Sequence, residues 1–154
     1  MQRTILQFEQ DEDGEWRVIL DCGHKRHLRN EPPRESRPEL SDPQARRAAV
    51  GKAIECGRCR QRLLPDGMVV YKSTPEFRDE TVPAGLLKDH SLKTGVWGHL
   101  VVLEGSLRFC EGDLRVEVGP ETLWYILPEV IHNVELSGPV RFRVDFLRSE
   151  ASMK

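Results

Sequence analysis

Five side chains in the first sixty residues have the chemistry of metal ligands. Cys22, His24 and His27 lie in DCGHKRHLRN (21–30), and Cys56 and Cys59 lie in CGRC (56–59). A CxxC pair lets two thiolates point at one centre across a turn, and the small Gly57 permits the tight backbone. Zn²⁺ takes four nitrogen or sulfur ligands in a tetrahedron. Cys56 and Cys59 would supply half of that shell, and Cys22 with one of His24 or His27 would supply the rest. Five candidates for four positions leave one over, and the spacing does not choose between the histidines. A shell with no spare position is closed and structural. The competing reading is a redox CxxC, or buried thiols beside exposed histidines. A redox pair opens a helix, whose N-terminus lowers the thiol pKa. Here CGRC follows a helical segment, which favours metal.

The 154 residues suffice for one ordinary domain or two small ones. Hydrophobic residues make up 38% and charged residues 31%, as in a globular protein with a modest core. A net charge of -2 names no partner. MQRTILQFEQDEDGEW lacks the apolar stretch of a secretory signal. No apolar run approaches the roughly 18 residues of a membrane span. A cytoplasmic, non-membrane location is the expectation, and clustered cysteines there bind metal or do redox work rather than form disulfides.

Charge divides the chain. His24 to Pro65 holds eleven Lys or Arg against five Asp or Glu, a net of +6. Asp66 to Lys154 holds ten against fourteen, a net of -4. The Pro and Gly of LLPDG (63–67) mark the boundary, giving domains 1–62 and 66–154. The first is a small α+β unit. TILQFEQ (4–10) and EWRVIL (15–20) read as strands around DEDG. NEPPRESRPEL (30–40) is a Pro-rich loop that excludes helix. SDPQARRAAVGKAIEC (41–56) is helical, with Asp42 as cap, Pro43 at the first position and Cys56 at the end. A unit this short has little core, and a structural metal would compensate.

The second part is a run of short strands: 98–105, 106–110, 113–119, 122–128 and 140–147. Val140, Phe142, Val144 and Phe146 alternate with Arg141, Arg143 and Asp145, the period of a half-buried strand. The chain is therefore mainly β, and this part is a sandwich or a barrel. Cys110 ends an alternating strand and reads as core. His99 shares a strand face with Trp97, opposite Glu104, and reads as structural or surface.

Two resemblances sharpen this. Residues 10–59 carry DCGHxxHxRH-like, PP and CxxC elements that resemble a small bacterial domain family of unknown function. Asn30 departs from the expected histidine, which argues against a ligand there, and Glu35 departs from an aromatic or polar residue. That resemblance implies a Cys/His metal site and no known activity. Residues 77–107 and 127–135, with TVPAGLL, His90, KTGVWG, VLEG and PEVIH, resemble the TehB/YeaR-like family over about 75–147. These are small bacterial cupins related to the N-terminal part of a tellurite-resistance protein. The resemblance implies a cupin-like double-stranded β-helix (jelly roll) with its chemistry inside the barrel. His90 and His132 fit the family's two histidine positions, the HxH element is missing, and Glu104 is the nearest further candidate. Three such ligands would leave open coordination positions. A second divalent metal there and a metal-free polar barrel both stay open. Trp97, Trp124 and Tyr125 line or close the barrel, or simply pack in its core.

Three functions follow. The favoured one is a non-catalytic, stress-associated protein of the tellurite or nitrosative type, binding a small molecule, oxyanion or metal beside a structural zinc domain. The second is a metal-dependent enzyme using His90, His132 and Glu104, activating O₂ on iron or water on zinc. The third is a regulatory or nucleic-acid-binding module working through the +6 segment. Glu31, Glu35 and Glu39 interrupt that segment, and residues 17–70 hold no aromatic for base stacking, which argues against nucleic acid. No S-adenosylmethionine-binding motif is visible. Small cupins commonly pair through edge strands, so a homodimer is one expectation.

Overall fold

A computed structural model describes residues 1–29 and 37–153. The chain is mainly β, and it divides into two compact units, Met1–Asp66 and Gly67–Lys154. No helix among the described residues is long and apolar enough to cross a membrane.

The first unit is built on β1 (Gln2–Gln10), β2 (Trp16–Leu20), β3 (Lys25–His27) and β4 (Ala53–Glu55), in the order β3-β2-β1-β4. All neighbours are antiparallel. Asp11 closes the first hairpin, its carboxylate accepting from the backbone of Asp13 and Glu15 at 2.9 Å each. Ile5, Val18, Leu20, Leu28 and Ala49 are the buried aliphatics, a thin core for so many residues. The helix α1 (Pro43–Ala49) is capped by Asp42, which accepts from Gln44 N at 2.9 Å. Arg46 on α1 lies 3.9 Å over the Trp16 ring and ties helix to sheet.

Two expectations need correction here. The helix ends at Ala49, not at Cys56. Val50 is extended and Gly51 turns with φ +90°, after which 53–55 pairs with the start of β1. Cys56 then stands at the N-cap of a single turn, α2 (Gly57–Arg60). CGRC therefore opens a helical turn, and its position no longer argues against a redox pair. The Pro-rich loop also holds a short 3-10 turn at Pro38–Leu40, with Pro at its first position. Residues 30–36, including Asn30 and Glu35, lie outside the described residues.

The second unit contains β5 (Met68–Ser73), β6 (Phe77–Arg78), β7 (Trp97–Gly105), β8 (Leu107–Glu111), β9 (Leu114–Val118), β10 (Tyr125–Ile126), β11 (Asn133–Glu135) and β12 (Val140–Ser149). One sheet runs β10-β7-β12-β5 with β6 on β12, and the other runs β11-β8-β9. Leu100, Val102, Phe142 and Val144 from the first sheet meet Leu107, Phe109, Val118 and Val134 from the second in one core. The alternation of 140–144 places Val140, Phe142 and Val144 inward as expected. It fails at Asp145, which is buried, while Phe146 packs half-buried against the core as expected, just before the register against β5 shifts.

Candidate metal centre

The β2–β3 turn brings Cys22 and His24 together. Gly23 N donates to Leu20 O at 2.8 Å, and Leu20 N to His24 O at 3.0 Å. On the other side, β4 and α2 present Cys56 and Cys59. The Nδ1 of His24 stands 3.3 Å from Cys22 Sγ, 3.4 Å from Cys56 Sγ and 3.5 Å from Cys59 Sγ. Cys22 Sγ and Cys56 Sγ are 3.9 Å apart. A tetrahedron with Zn–S of about 2.3 Å and Zn–N of about 2.0–2.1 Å has S···S edges of about 3.8 Å and S···N edges of about 3.5 Å. The cluster has that size. All four residues are buried. The other ring nitrogen of His24 donates to Leu63 O at 2.6 Å, which fixes Nδ1 as the ligand atom.

Protonation fits the same role. A bond from the Cys22 thiol, then one from Cys59, holds Cys56 far below the ordinary thiol range. Cys22 is pushed far up by its bonds to Cys56 and Cys59. Burial pushes His24 down, but bonds to Cys56 and Cys59 outweigh it and raise the imidazole to about 9. In the metal-free cluster the charge is thus shared unequally, with Cys56 favoured as thiolate, Cys22 as thiol and His24 as imidazolium. Backbone N–H groups of His24 and Cys59 also donate to Cys22 and Cys56 and stabilise thiolate.

His27 stands apart. It is exposed on β3, and its Nε2 meets Asp11 Oδ2 at 2.8 Å. Asp11, Glu15 and His27 form a second group of ligand size, but the Asp11 carboxylate already serves the hairpin turn and the set faces solvent.

In the second unit His90 and His132 meet as an isolated antiparallel bridge. His90 N donates to His132 O at 3.0 Å, and His132 N to His90 O at 2.9 Å. The ring centroids are 4.2 Å apart at 62°. His90 Nδ1 donates to Lys88 O at 2.8 Å and His132 Nδ1 to Val130 O at 3.0 Å. In each neutral ring the lone pair is therefore on Nε2. His132 is buried and stacks on core Phe109 at 5.4 Å. Glu104 does not join them. It lies opposite Arg141 in register, pairs with that guanidinium at 3.0 Å, and its side chain is 63% exposed. Among the described residues no third His, Cys, Asp or Glu forms a cluster of metal-binding size with this pair.

Comparison with known proteins gives each unit a family. Residues 6–63 match a family described as Protein of unknown function (DUF3565), and residues 72–144 match the TehB-like domain. The two matches fall one in each compact unit, and the units are called the DUF3565 and TehB-like domains after them. Two relatives described as probable S-adenosyl-L-methionine-dependent methyltransferase TehB come from Haemophilus influenzae. The one from strain ATCC 51907 is 33% identical over 75 residues, covering 44% of this chain and 26% of the relative. The one from strain 10810 is 32% identical over the same length, with the same coverage. The chain thus spans about a quarter of the relatives it matches. The crystal structure of H. influenzae TehB aligns with TM-score 0.51 at 29% identity, over 55% of this chain and 32% of that one. A crystal structure of an E. coli K12 protein shares the fold with TM-score 0.51 at 24% identity, covering 55% of this chain and 94% of that one.

Within the TehB-like domain the two tryptophans separate. Trp124 packs on Phe109 at 5.5 Å, the same ring that stacks on His132, and so lies at the histidine end of the core. Trp97 is buried but alternates away from Leu100 and Val102, with Tyr125 on its edge at 6.5 Å. His99 also lies on that outer face, half-buried, with Tyr125 at 5.3 Å and Asp145 opposite in register. Burial lowers its pKa, and Asp145 offsets part of the effect. Cys110 is buried, and burial raises its thiol. The Leu63, Lys88 and Val130 carbonyls that orient the histidines were invisible in the sequence, because any residue type supplies a carbonyl.

Proposed function

We propose that this chain is a two-unit binding protein. The DUF3565 domain carries one structural Zn²⁺ on Cys22, His24, Cys56 and Cys59, and the TehB-like domain binds a small ligand at its His90–His132 end. The observation that carries the first half is the size of the buried cluster, whose edges are those of a zinc tetrahedron. Four protein ligands close the shell, so its role is to hold the fold. Zn²⁺ bound there would neutralise the thiolates and cross-link the β2–β3 turn to α2. The thin core of this unit makes that link a large share of its stability.

For the second half, two sheets enclosing one core, and the likeness to TehB, support a cupin-like jelly roll. Among the described residues no carboxylate completes a cluster of metal-binding size with the histidine pair, which favours capture of a small molecule or oxyanion over catalysis. A role in tellurite- or nitrosative-type stress accords with the TehB-like family. The match covers too little of the TehB methyltransferase to carry that activity here. A metal-dependent enzyme is the second reading, favoured by the same pair, since a metal on two imidazoles would keep open positions.

The test is metal content per full-length chain, purified without added metal. Wild type should hold one zinc, Cys56→Ser/Cys59→Ser none, and His90→Ala/His132→Ala still one. Zinc retained by the double serine variant would overturn the first half. A second metal lost only with the histidines would favour the enzyme.

A further inference from the structure

The TehB-like domain has a second concave site, whose lining does not include His90 or His132. Strand β5 is a sheet edge, bonded to β12 alone. Lys72 on β5 lies opposite Phe146 on β12, so the two side chains leave the same face. The loop 91–96 passes beside them and is firmly held. Leu92 bridges to Pro128, Glu129 N donates to Leu92 O at 2.9 Å, and Val96 N donates to Lys93 O at 3.0 Å. A Cβ at Gly98 would come within 3.2 Å of Leu92 Cδ1 and 3.1 Å of Ile126, so the bare glycine is what lets Leu92 pack there. The result is a pocket of about 210 Å³. Half-buried Leu92, Val96 and Phe146 form its apolar part, and Lys72, Lys93, Tyr71 and Ser91 its polar part.

Its charge is unusual for the unit. Residues 66–154 hold ten Lys or Arg against fourteen Asp or Glu. Yet neither Lys72 nor Lys93 meets an acid among the described residues. Arg148 stacks its guanidinium 4.2 Å over the Tyr71 ring, and its buried Nε has no hydrogen-bond partner among the described residues. Glu129 accepts from Thr94 at 2.6 Å and does not line the pocket. Two lysines without acidic partners among the described residues therefore line an apolar pocket, and Arg148 stacks on its Tyr71.

We propose that this pocket binds a small organic monoanion, a carboxylate on an apolar or aromatic body. The lysines recognise the negative group, and the body covers Leu92, Val96 and Phe146. An inorganic oxyanion would satisfy the lysines and leave that surface in water. The volume lies below the roughly 300–1,000 Å³ of drug-sized sites, which keeps the ligand small. The pocket excludes His90 and His132, so the inference stands apart from the ligand proposed for them.

The test is a titration of the full-length protein with benzoate at low ionic strength, followed by amide NMR, with sulfate at equal ionic strength as control. Saturable shifts should appear at Lys72, Lys93 and Phe146, with a Kd on the order of 1 mM. Lys72→Gln/Lys93→Gln, both exposed positions, should weaken binding at least about tenfold. Sulfate should give no saturable shift there. Absence of benzoate shifts at these amides, unchanged affinity in the double variant, or sulfate matching benzoate would each overturn the proposal.

Discussion

The two histidine-bearing sites of this chain are built on opposite principles. In the DUF3565 domain, one histidine and three cysteines from two distant segments converge on a dry point, and every ligand atom faces the others. In the TehB-like domain, two histidines pair through their own backbone and stack on the core, and among the described residues no Cys, Asp or Glu completes a metal-sized cluster with them. The first arrangement crowds four buried ligand groups that, without a cation, share protons and charge among themselves. The second has carbonyl and aromatic partners for its rings. The first site thus has the make-up of a metal centre, and the second stands without one.

The sharpest way to break that contrast is to remove metal. Structural zinc contributes on the order of 10 kcal/mol in small domains, more than a unit of this size holds in reserve. Chelation, or Cys56→Ser/Cys59→Ser, should abolish the unfolding transition of the first unit in calorimetry and leave that of the TehB-like domain. Two intact transitions in excess chelator would erase the distinction.

A smaller effect separates the two nearby histidines. His24→Ala should weaken zinc binding by more than the 10–100-fold typical of an outer-shell contact, measured against a competing chelator. His27→Ala should leave it unchanged, since that ring serves Asp11 on the surface.

Within the TehB-like domain the effects should be those of packing. His132→Ala removes a buried ring from Phe109 and should cost about 2–4 kcal/mol in urea unfolding. His90→Ala, half-buried with one carbonyl bond from its ring, should cost about 0.5–1.5 kcal/mol. Equal losses from both would show that the pair acts as a unit.

The smallest effect is on pH. Burial lowers the pKa of His99 below its ordinary 6.5, so the fold favours the neutral ring. Its contribution is present above about pH 6.5 and is lost as pH falls through the folded value, because the unfolded chain takes up the proton first. Melting of the TehB-like domain should decline from pH 6.5 downward, and His99→Gln should flatten that slope.

The ligands and the strands were legible to different degrees. Cys22, Cys56 and Cys59 stood out because cysteine spacing survives any local error in secondary structure. The helix runs seven residues shorter than its sequence pattern implies, because Gly51 turns the chain and the pairing of 53–55 with β1 is a tertiary event. The choice between His24 and His27 depends on which residues sit in the turn and which on exposed β3, and composition carries no such information. Glu104 looked close to the histidines by position, but its register against Arg141 turns it to solvent. Strand β5 was not singled out, since MVVYKS lacks clean alternation and pairs only at a sheet edge.

The most direct measurement is X-ray absorption at the zinc edge of the full-length protein. Three sulfur scatterers at about 2.3 Å and one nitrogen at about 2.0–2.1 Å are expected. A first shell of nitrogen and oxygen alone would place the metal elsewhere and contradict the closed Cys₃His centre.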